Sequence, residues 1–425
     1  MDYNDYEHMP KRKKAGFGAG LFTGLILGAG ILGAGLFVGT RAYTNMTGRY
    51  MVLGPSGSMT TAYNGSLLDQ DTLDRVEELI AYMDLYYYEE YDAEDIQNAI
   101  CKGTLNGLGD PYSVYYTPDE YEDLQVSTTG NYYGIGAGLN QNAKTMEVTI
   151  TKVYAGTPAE EAGLKNGDRI LTVNDVESAS MELTNLVKLI RGEEGTTVHL
   201  VVYRDSSKET LEFDVMRRNV ELPSVTGQMM GGGIGYIEIS EFQSGTAGQF
   251  AEILANLQSQ GMKGMVVDLR GNPGGLINSV VDILDIILPE GTVVYTEDKY
   301  GKRETYTSDA DCLDCPIVVL INENSASASE IFAGAIKDYS YGTLVGVTSY
   351  GKGIVQSLFP LGDGAAVKVT TAKYFTPNGN NIHKIGIEPD IEVEYKYEGP
   401  EDEAYDIQYD NQAQYAFDLM REMLE

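Results

Sequence analysis

From Ala15 to Thr40 the chain runs for 26 residues without a charged side chain. As a helix such a run is about 39 Å long, against about 30 Å of bilayer hydrocarbon. It is therefore expected to span a membrane, with some tilt. It outlasts the apolar region of a cleaved signal peptide, usually about 7 to 15 residues, and no small-x-small cleavage site follows it. An uncleaved anchor is thus the expectation, with a cleaved leader as the alternative. Lys11, Arg12, Lys13 and Lys14 precede the run and only Arg41 follows it directly. The basic tip, residues 1–14, is expected to stay in the cytoplasm, which leaves residues 41–425 extracytoplasmic. Gly16, Gly20, Gly24 and Gly28 line one face of the span, a pattern that permits close helix pairing in lipid but is also ordinary in membrane helices.

The 425 residues carry 30 Lys plus Arg against 63 Asp plus Glu, a net charge of −33. The chain beyond residue 14 carries −34. A surface of this sign excludes phosphate-backbone binding as a main role, so no nucleic-acid partner is expected. With 43% hydrophobic residues the chain can bury several cores. Residues 41–67, rich in Gly, Ser, Thr and Asn, read as a linker. Leu73, Val76, Ile80 and Met83, then Ile96, Ile100 and Leu105, recur at helical spacing until Gly109-Asp110-Pro111 stops the run, so residues 68–126 are expected to form a small helical domain. Residues 127–217 turn β-rich, with strand-like runs at 147–153, 197–204 and 210–216. Residues 218–397 alternate strands (234–239, 264–269, 317–321) with helices, the pattern of a largely parallel, helix-covered sheet. The acidic tail, 398–425, places Ala413, Ala416, Phe417, Met420 and Leu424 on one helical face, to dock on its own core or on a second subunit. The expected class is multidomain α/β behind one transmembrane helix.

The stretch Asn324-Ser325-Ala326-Ser327-Ala328-Ser329-Glu330 opens a helix directly after an apolar strand. A hydroxyl there sits where free N–H groups favour developing negative charge, although Ser327 with Glu330 also reads as a capping box. A reactive serine needs a base. Of the three histidines, His8 is cytoplasmic in this topology, His199 lies in the β-rich region, and His383 alone is a plausible imidazole. A buried lysine, its charged form disfavoured by desolvation, can serve instead. Lys352, in Gly351-Lys352-Gly353, is the candidate, and Gln356 shares its face if the stretch is helical. Cys312 and Cys315 form the one CxxC. With no second pair nearby they fit a local disulfide or two free thiols better than zinc, and Cys101 is expected in the helical core. No cofactor or metal motif is apparent.

Pro158-Ala159-Glu160-Glu161-Ala162-Gly163-Leu164 and Gly167-Asp168-Arg169-Ile170-Leu171-Thr172-Val173-Asn174 resemble a PDZ domain. The resemblance implies that Gly134-Ile135-Gly136-Ala137 is the loop facing a peptide's terminal carboxylate. Gly107-Leu108-Gly109-Asp110-Pro111-Tyr112-Ser113, Asp268-Leu269-Arg270-Gly271-Asn272-Pro273-Gly274-Gly275, the serine-rich helix start, Gly351-Lys352-Gly353 and Gly386-Ile387-Glu388-Pro389-Asp390 then follow in the order found in carboxy-terminal processing proteases, which the chain resembles from about Leu68 to Val393. That resemblance implies a serine endopeptidase with Ser327 as nucleophile, Lys352 as general base and Gln356 in support. It implies an oxyanion site at Ala328 with Gly274 or Gly275, protein or peptide substrates with free C-termini, and some self-association. An idle PDZ scaffold would dispense with Ser327 and Lys352, and a thiol redox protein would need a thioredoxin-like setting around Cys312.

Overall fold

A computed structural model describes residues 49–53, 59–63, 69–400 and 405–425. The expected tip (1–14) and span (15–40) lie outside the described residues; among the described residues no helix is long and apolar enough to cross a membrane. The chain divides into two compact units, one running to Gly107 and including Pro360–Gly364, the other comprising Leu108–Phe359 and Ala365–Glu425.

In the first unit Arg49–Leu53 pairs antiparallel with Met59–Tyr63, and the helices Gln70–Tyr86 and Ala93–Asn106 follow. Each begins at an aspartate cap: Asp69 accepts from the Thr72 N–H and Asp92 from the Glu94 N–H. Neither helix buries a residue, and Leu73, Leu79, Leu85, Ile100 and Cys101 are exposed. The expected place of Cys101 in a core is therefore corrected. Residues 108–126 fall in the second unit. Pro111 ends the helical run, and Val114–Tyr116 becomes a strand paired with Ala366–Phe375 before the helix Pro118–Thr129.

The β-rich region is an antiparallel sheet in the order Glu209–Met216, Thr197–Arg204, Arg169–Val173, Val148–Val153, Ala137–Gln141. Alternation along its strands turns Val148, Ile150, Ile170, Val198, Leu200 and Val202 inward, against Leu186 and Ile190 of the helix Leu183–Ile190. Asp168, buried, is held by two Arg204 bonds of 2.7 Å each, a bidentate pair that closes the domain.

The remaining strands form a sheet in the order Val225–Met230, Ile234–Ile239, Gly264–Asp268, Ile317–Ile321, Thr343–Gly346, Ile391–Glu392. Every pairing is parallel except the first. Both faces are covered, which is why the central strands read as unbroken apolar runs. Val267 and Val319 face the helices Thr246–Ser259, Ile277–Ile287 and Ala328–Asp338, while Val266 and Val318 face Ala416, Phe417 and Met420 of the helix Asn411–Leu424. The tail thus docks on its own core. Arg270 locks it there, bonding Asp268 at 2.6 Å, Asp410 at 2.9 Å and Gln412 at 3.0 Å, all buried. A second sheet, ordered Arg303–Ser308, Gly291–Asp298, Ala366–Phe375, Ile354–Pro360, places Gln356 on a strand, so the helical condition for its sharing a face with Lys352 is not met. Ile354 and Val355 are β-branched and start a strand directly after Gly353.

Candidate active site

Of the three serines at the start of Ala328–Asp338, two are consumed by packing. Ser325 Oγ donates to the Leu269 carbonyl (2.8 Å) and accepts from the Asn322 N–H (2.9 Å), and Ser329 Oγ donates to the Asn272 carbonyl (3.0 Å). Both are fully buried, whereas Ser327 between them is half-buried. Ser327 is held at φ 55°, ψ −110°, a region costing a non-glycine residue on the order of 1–3 kcal/mol. The helix begins at the next residue, so its unpaired N–H groups converge beside this side chain.

The turn after Gly264–Asp268 packs onto that helix start so closely that glycine is required. A Cβ on Gly274 (φ 106°) would lie 2.7 Å from Ser327 Cβ and 2.9 Å from the Ala328 nitrogen; one on Gly275 (φ 139°) would lie 2.2 Å from the Phe242 carbonyl oxygen. Asn272, fully buried, fixes the turn by donating to the Ile239 carbonyl (2.8 Å) and accepting the Gly274 N–H (2.8 Å). The Gly274 donor is therefore occupied. Among the described residues the N–H groups of Gly275 and Ala328 have no acceptor.

Glu330 joins these parts to Lys352, a role that sequence reasoning missed. Its carboxylate is fully buried and accepts four bonds: Ser349 Oγ (2.6 Å), Gly351 N–H (2.7 Å), Lys352 N–H (2.8 Å) and Ser327 N–H (2.9 Å). What reads as a capping box is also the anchor of the lysine loop. Gly353 lets that loop pass, since a Cβ there would lie 2.5 Å from the His383 nitrogen. Burial is the main cause that lowers the Lys352 pKa below the ordinary lysine value; Lys368 adds to it and Glu330 opposes it. His383 does not line the cavity at Ser327, and burial followed by Lys384 and Lys373 lowers its own pKa.

Ser327, Lys352, Gln356, Gly274 and Gly275 line one cavity of about 440 Å³, with Ile277, Ile331, Ile354 and Tyr374 as its apolar wall. Gln356 reaches it from a strand rather than a helix, and its amide donates to Thr370 Oγ1 at 3.3 Å. Cys312 is exposed and burial pushes the Cys315 thiol up to about 11, leaving little thiolate for chemistry. Removing the Glu330 carboxylate should strand four donors. Glu330→Ala is expected to cost about 3 kcal/mol of stability and about 10²-fold in turnover through misplacement. Thermal denaturation and peptide hydrolysis check this, and unchanged turnover would show that the knot does not position the site.

In the PDZ-like loop, Gly134 pairs with Arg218, Ile135 is buried, and the Gly136 carbonyl accepts from the Tyr154 N–H (3.1 Å). Ala137 opens the last strand of the sheet, whose outer edge has no partner among the described residues. Tyr132, missed by sequence reasoning, interacts through its hydroxyl with the Gly136 backbone, and the Arg191 guanidinium lies 5.3 Å from its ring centroid.

The profile of Peptidase family S41 matches residues 233–393 and that of the PDZ domain residues 149–204. A carboxyl-terminal-processing protease of Synechocystis sp. is 41% identical over 68% of this chain and 69% of its own length. The carboxy-terminal processing protease CtpB of Bacillus subtilis is 36% identical over 76% of this chain and 68% of its own. A solved photosystem II D1 C-terminal processing protease is 29% identical, covering 80% of this chain and 90% of that one, with a TM-score of 0.46. The chain belongs to the carboxy-terminal processing proteases, PDZ-containing serine-type peptidases of family S41.

Proposed function

We propose that this peptidase works by a Ser-Lys acyl-enzyme mechanism outside the cytoplasm, anchored through residues 15–40. The observation that carries the reading is the meeting of Ser327, at a strained helix start, with a desolvated Lys352 in one cavity. Neutral Lys352 Nζ takes the Ser327 proton as Oγ attacks the scissile carbonyl; the protonated amine then returns that proton to the leaving amine, and water hydrolyses the ester in the reverse sense. The N–H groups of Gly275 and Ala328 receive the oxyanion, the Gly274 donor being occupied. Gln356 holds the lysine side of the cleft through Thr370. A substrate's free C-terminal tail adds a strand to the open edge of Ala137–Gln141, with its carboxylate at Gly134–Ala137, where it displaces the Tyr132 hydroxyl.

Acid-quenched mass spectrometry of the enzyme with a slowly deacylating peptide ester tests this. An acyl adduct on Ser327 is expected, and none or an adduct elsewhere rejects the mechanism. Amidating the C-terminus of a longer substrate should raise KM with little change in kcat, and an unchanged KM rejects the PDZ role. The exposed Leu79, Tyr82, Leu85 and Tyr86 of Gln70–Tyr86 support self-association. Sedimentation in detergent, with and without Leu79→Glu and Leu85→Glu, checks it, while recovery of the full chain in washed membranes checks the anchor.

A further inference from the structure

The mechanism leaves unused a tyrosine that lies against its base. The Tyr112 ring centroid is 4.9 Å from Lys352 Nζ, and the two residues are 240 positions apart in the chain. Tyr112 is fixed from below. Its N–H donates to Asp110 Oδ1 (3.1 Å), and the same carboxylate accepts from Ser113 Oγ (2.6 Å) and Thr370 Oγ1 (2.7 Å). The Thr370 N–H closes the knot on Ser113 Oγ (3.1 Å), and Thr370 also receives the Gln356 amide. Asp110 thus holds both the tyrosine and the partner of Gln356. Above the ring, the Tyr112 hydroxyl donates to the Tyr350 hydroxyl (3.3 Å).

Lys352 borders two cavities. One contains Ser327; the other, about 450 Å³, is lined by Tyr112, Tyr350, Asn324, Ala326 and Pro273. Tyr112 lines only the second. We infer that Tyr112 is a positioning residue for Lys352: where the two residues border the second cavity, its ring covers the amine in place of water and so keeps it neutral, ready to accept the Ser327 proton. This rests on the Ser-Lys reading above.

Two ring effects oppose each other. The aromatic face attracts an ammonium that lies over it. Excluding water acts the other way, because an ammonium is a compact, strongly hydrated charge, and burial is the largest influence on the Lys352 amine. The charged groups facing Lys352 are Glu330 from the helix Ala328–Asp338 and Lys368 from the strand Ala366–Phe375, the first favouring and the second disfavouring the ammonium. Tyr112 adds no charge of its own, since the Tyr350 hydrogen bond and burial push its phenol up to about 12.

The test is the pH profile of kcat/KM in the full-length enzyme. Tyr112→Ala should move the acid limb upward by about one pH unit, equivalent to about a tenfold loss of neutral amine below the limb, while the high-pH plateau stays within about threefold. Tyr112→Phe and Tyr112→Leu, which keep an apolar wall, should leave the limb in place. A limb that stays put or falls in Tyr112→Ala, or an equal loss at every pH, overturns the inference. Should Tyr112→Ala misfold, an upward shift in Tyr112→Leu equal to that expected for Tyr112→Ala overturns it as well. Lys352 acylation by an amine-reactive ester, followed against pH by mass spectrometry in a Ser327→Ala background, reports the same protonation without turnover. If Lys352→Ala retains turnover and the limb, the Ser-Lys reading itself fails. If Lys352→Ala is inactive but the limb ignores Tyr112, only this inference fails.

Discussion

Ser327→Ala is expected to abolish peptide hydrolysis, by on the order of 10⁶-fold in kcat, without unfolding the enzyme. The size follows from the proposed mechanism, in which without the hydroxyl there is no acyl-enzyme and Lys352 has no proton to take. Preservation of the fold follows from the geometry. The Glu330 carboxylate accepts from the Ser327 backbone N–H, a bond that alanine keeps, and Ser325 and Ser329 supply the side-chain bonds that tie the helix start to the turn. A serine present only to cap the helix would behave oppositely, costing about 1 kcal/mol of stability and little activity. Ser327→Gly sharpens the contrast. Glycine tolerates φ 55°, ψ −110°, so this variant should be as inactive as Ser327→Ala yet no less stable than the parent. Melting temperatures and hydrolysis rates of the two variants decide the matter. Turnover surviving in either would remove Ser327 from the chemistry.

Much of this arrangement is legible before any coordinates. The run 317–321 is apolar at every position because both faces of a central parallel strand are buried, and that pattern survives in sequence. The helix start is legible for the same reason, since Ser, Ala and Glu at fixed offsets reflect contacts within one turn. What escapes notice is whatever depends on distant partners. Glu330 explains itself locally as a cap, so nothing in its neighbourhood signals that Ser349, Gly351 and Lys352 also converge on it. Gln356 pairs with Thr370, fourteen positions away on the neighbouring strand, and helical spacing to Lys352 is a coincidence of number. The choice between Gly274 and Gly275 turns on which N–H Asn272 occupies, a fact of side-chain orientation that composition does not carry. Tyr112 and Tyr132 belong to segments read for other purposes, a helix stop and a glycine loop.

Replacing Lys352 separates a base from a mere positive charge. Lys352→Ala is expected to reduce kcat by at least about 10⁴-fold, since loss of a triad member of this kind costs from about 3 × 10⁴ to 2 × 10⁶. Lys352→Arg is the sharper probe. Its guanidinium keeps charge and length but does not deprotonate within the working range of proteins, so an enzyme that needs a neutral amine gains nothing from it. If Lys352 acted instead as a cation stabilising the oxyanion, arginine would restore part of the rate. The sign of the pH dependence is fixed by the same reasoning. Burial and Lys368 favour the uncharged amine, so the Lys352 pKa lies below the ordinary lysine value, and under the proposed mechanism the active form exists above it. Activity should therefore fall as pH drops through that lowered value and rise to a plateau above it. An enzyme active only with a charged lysine would lose rate in the opposite direction, as pH rises. The pH profile of kcat/KM, measured beside Lys352→Arg, distinguishes the two because each predicts the reverse of the other in both experiments.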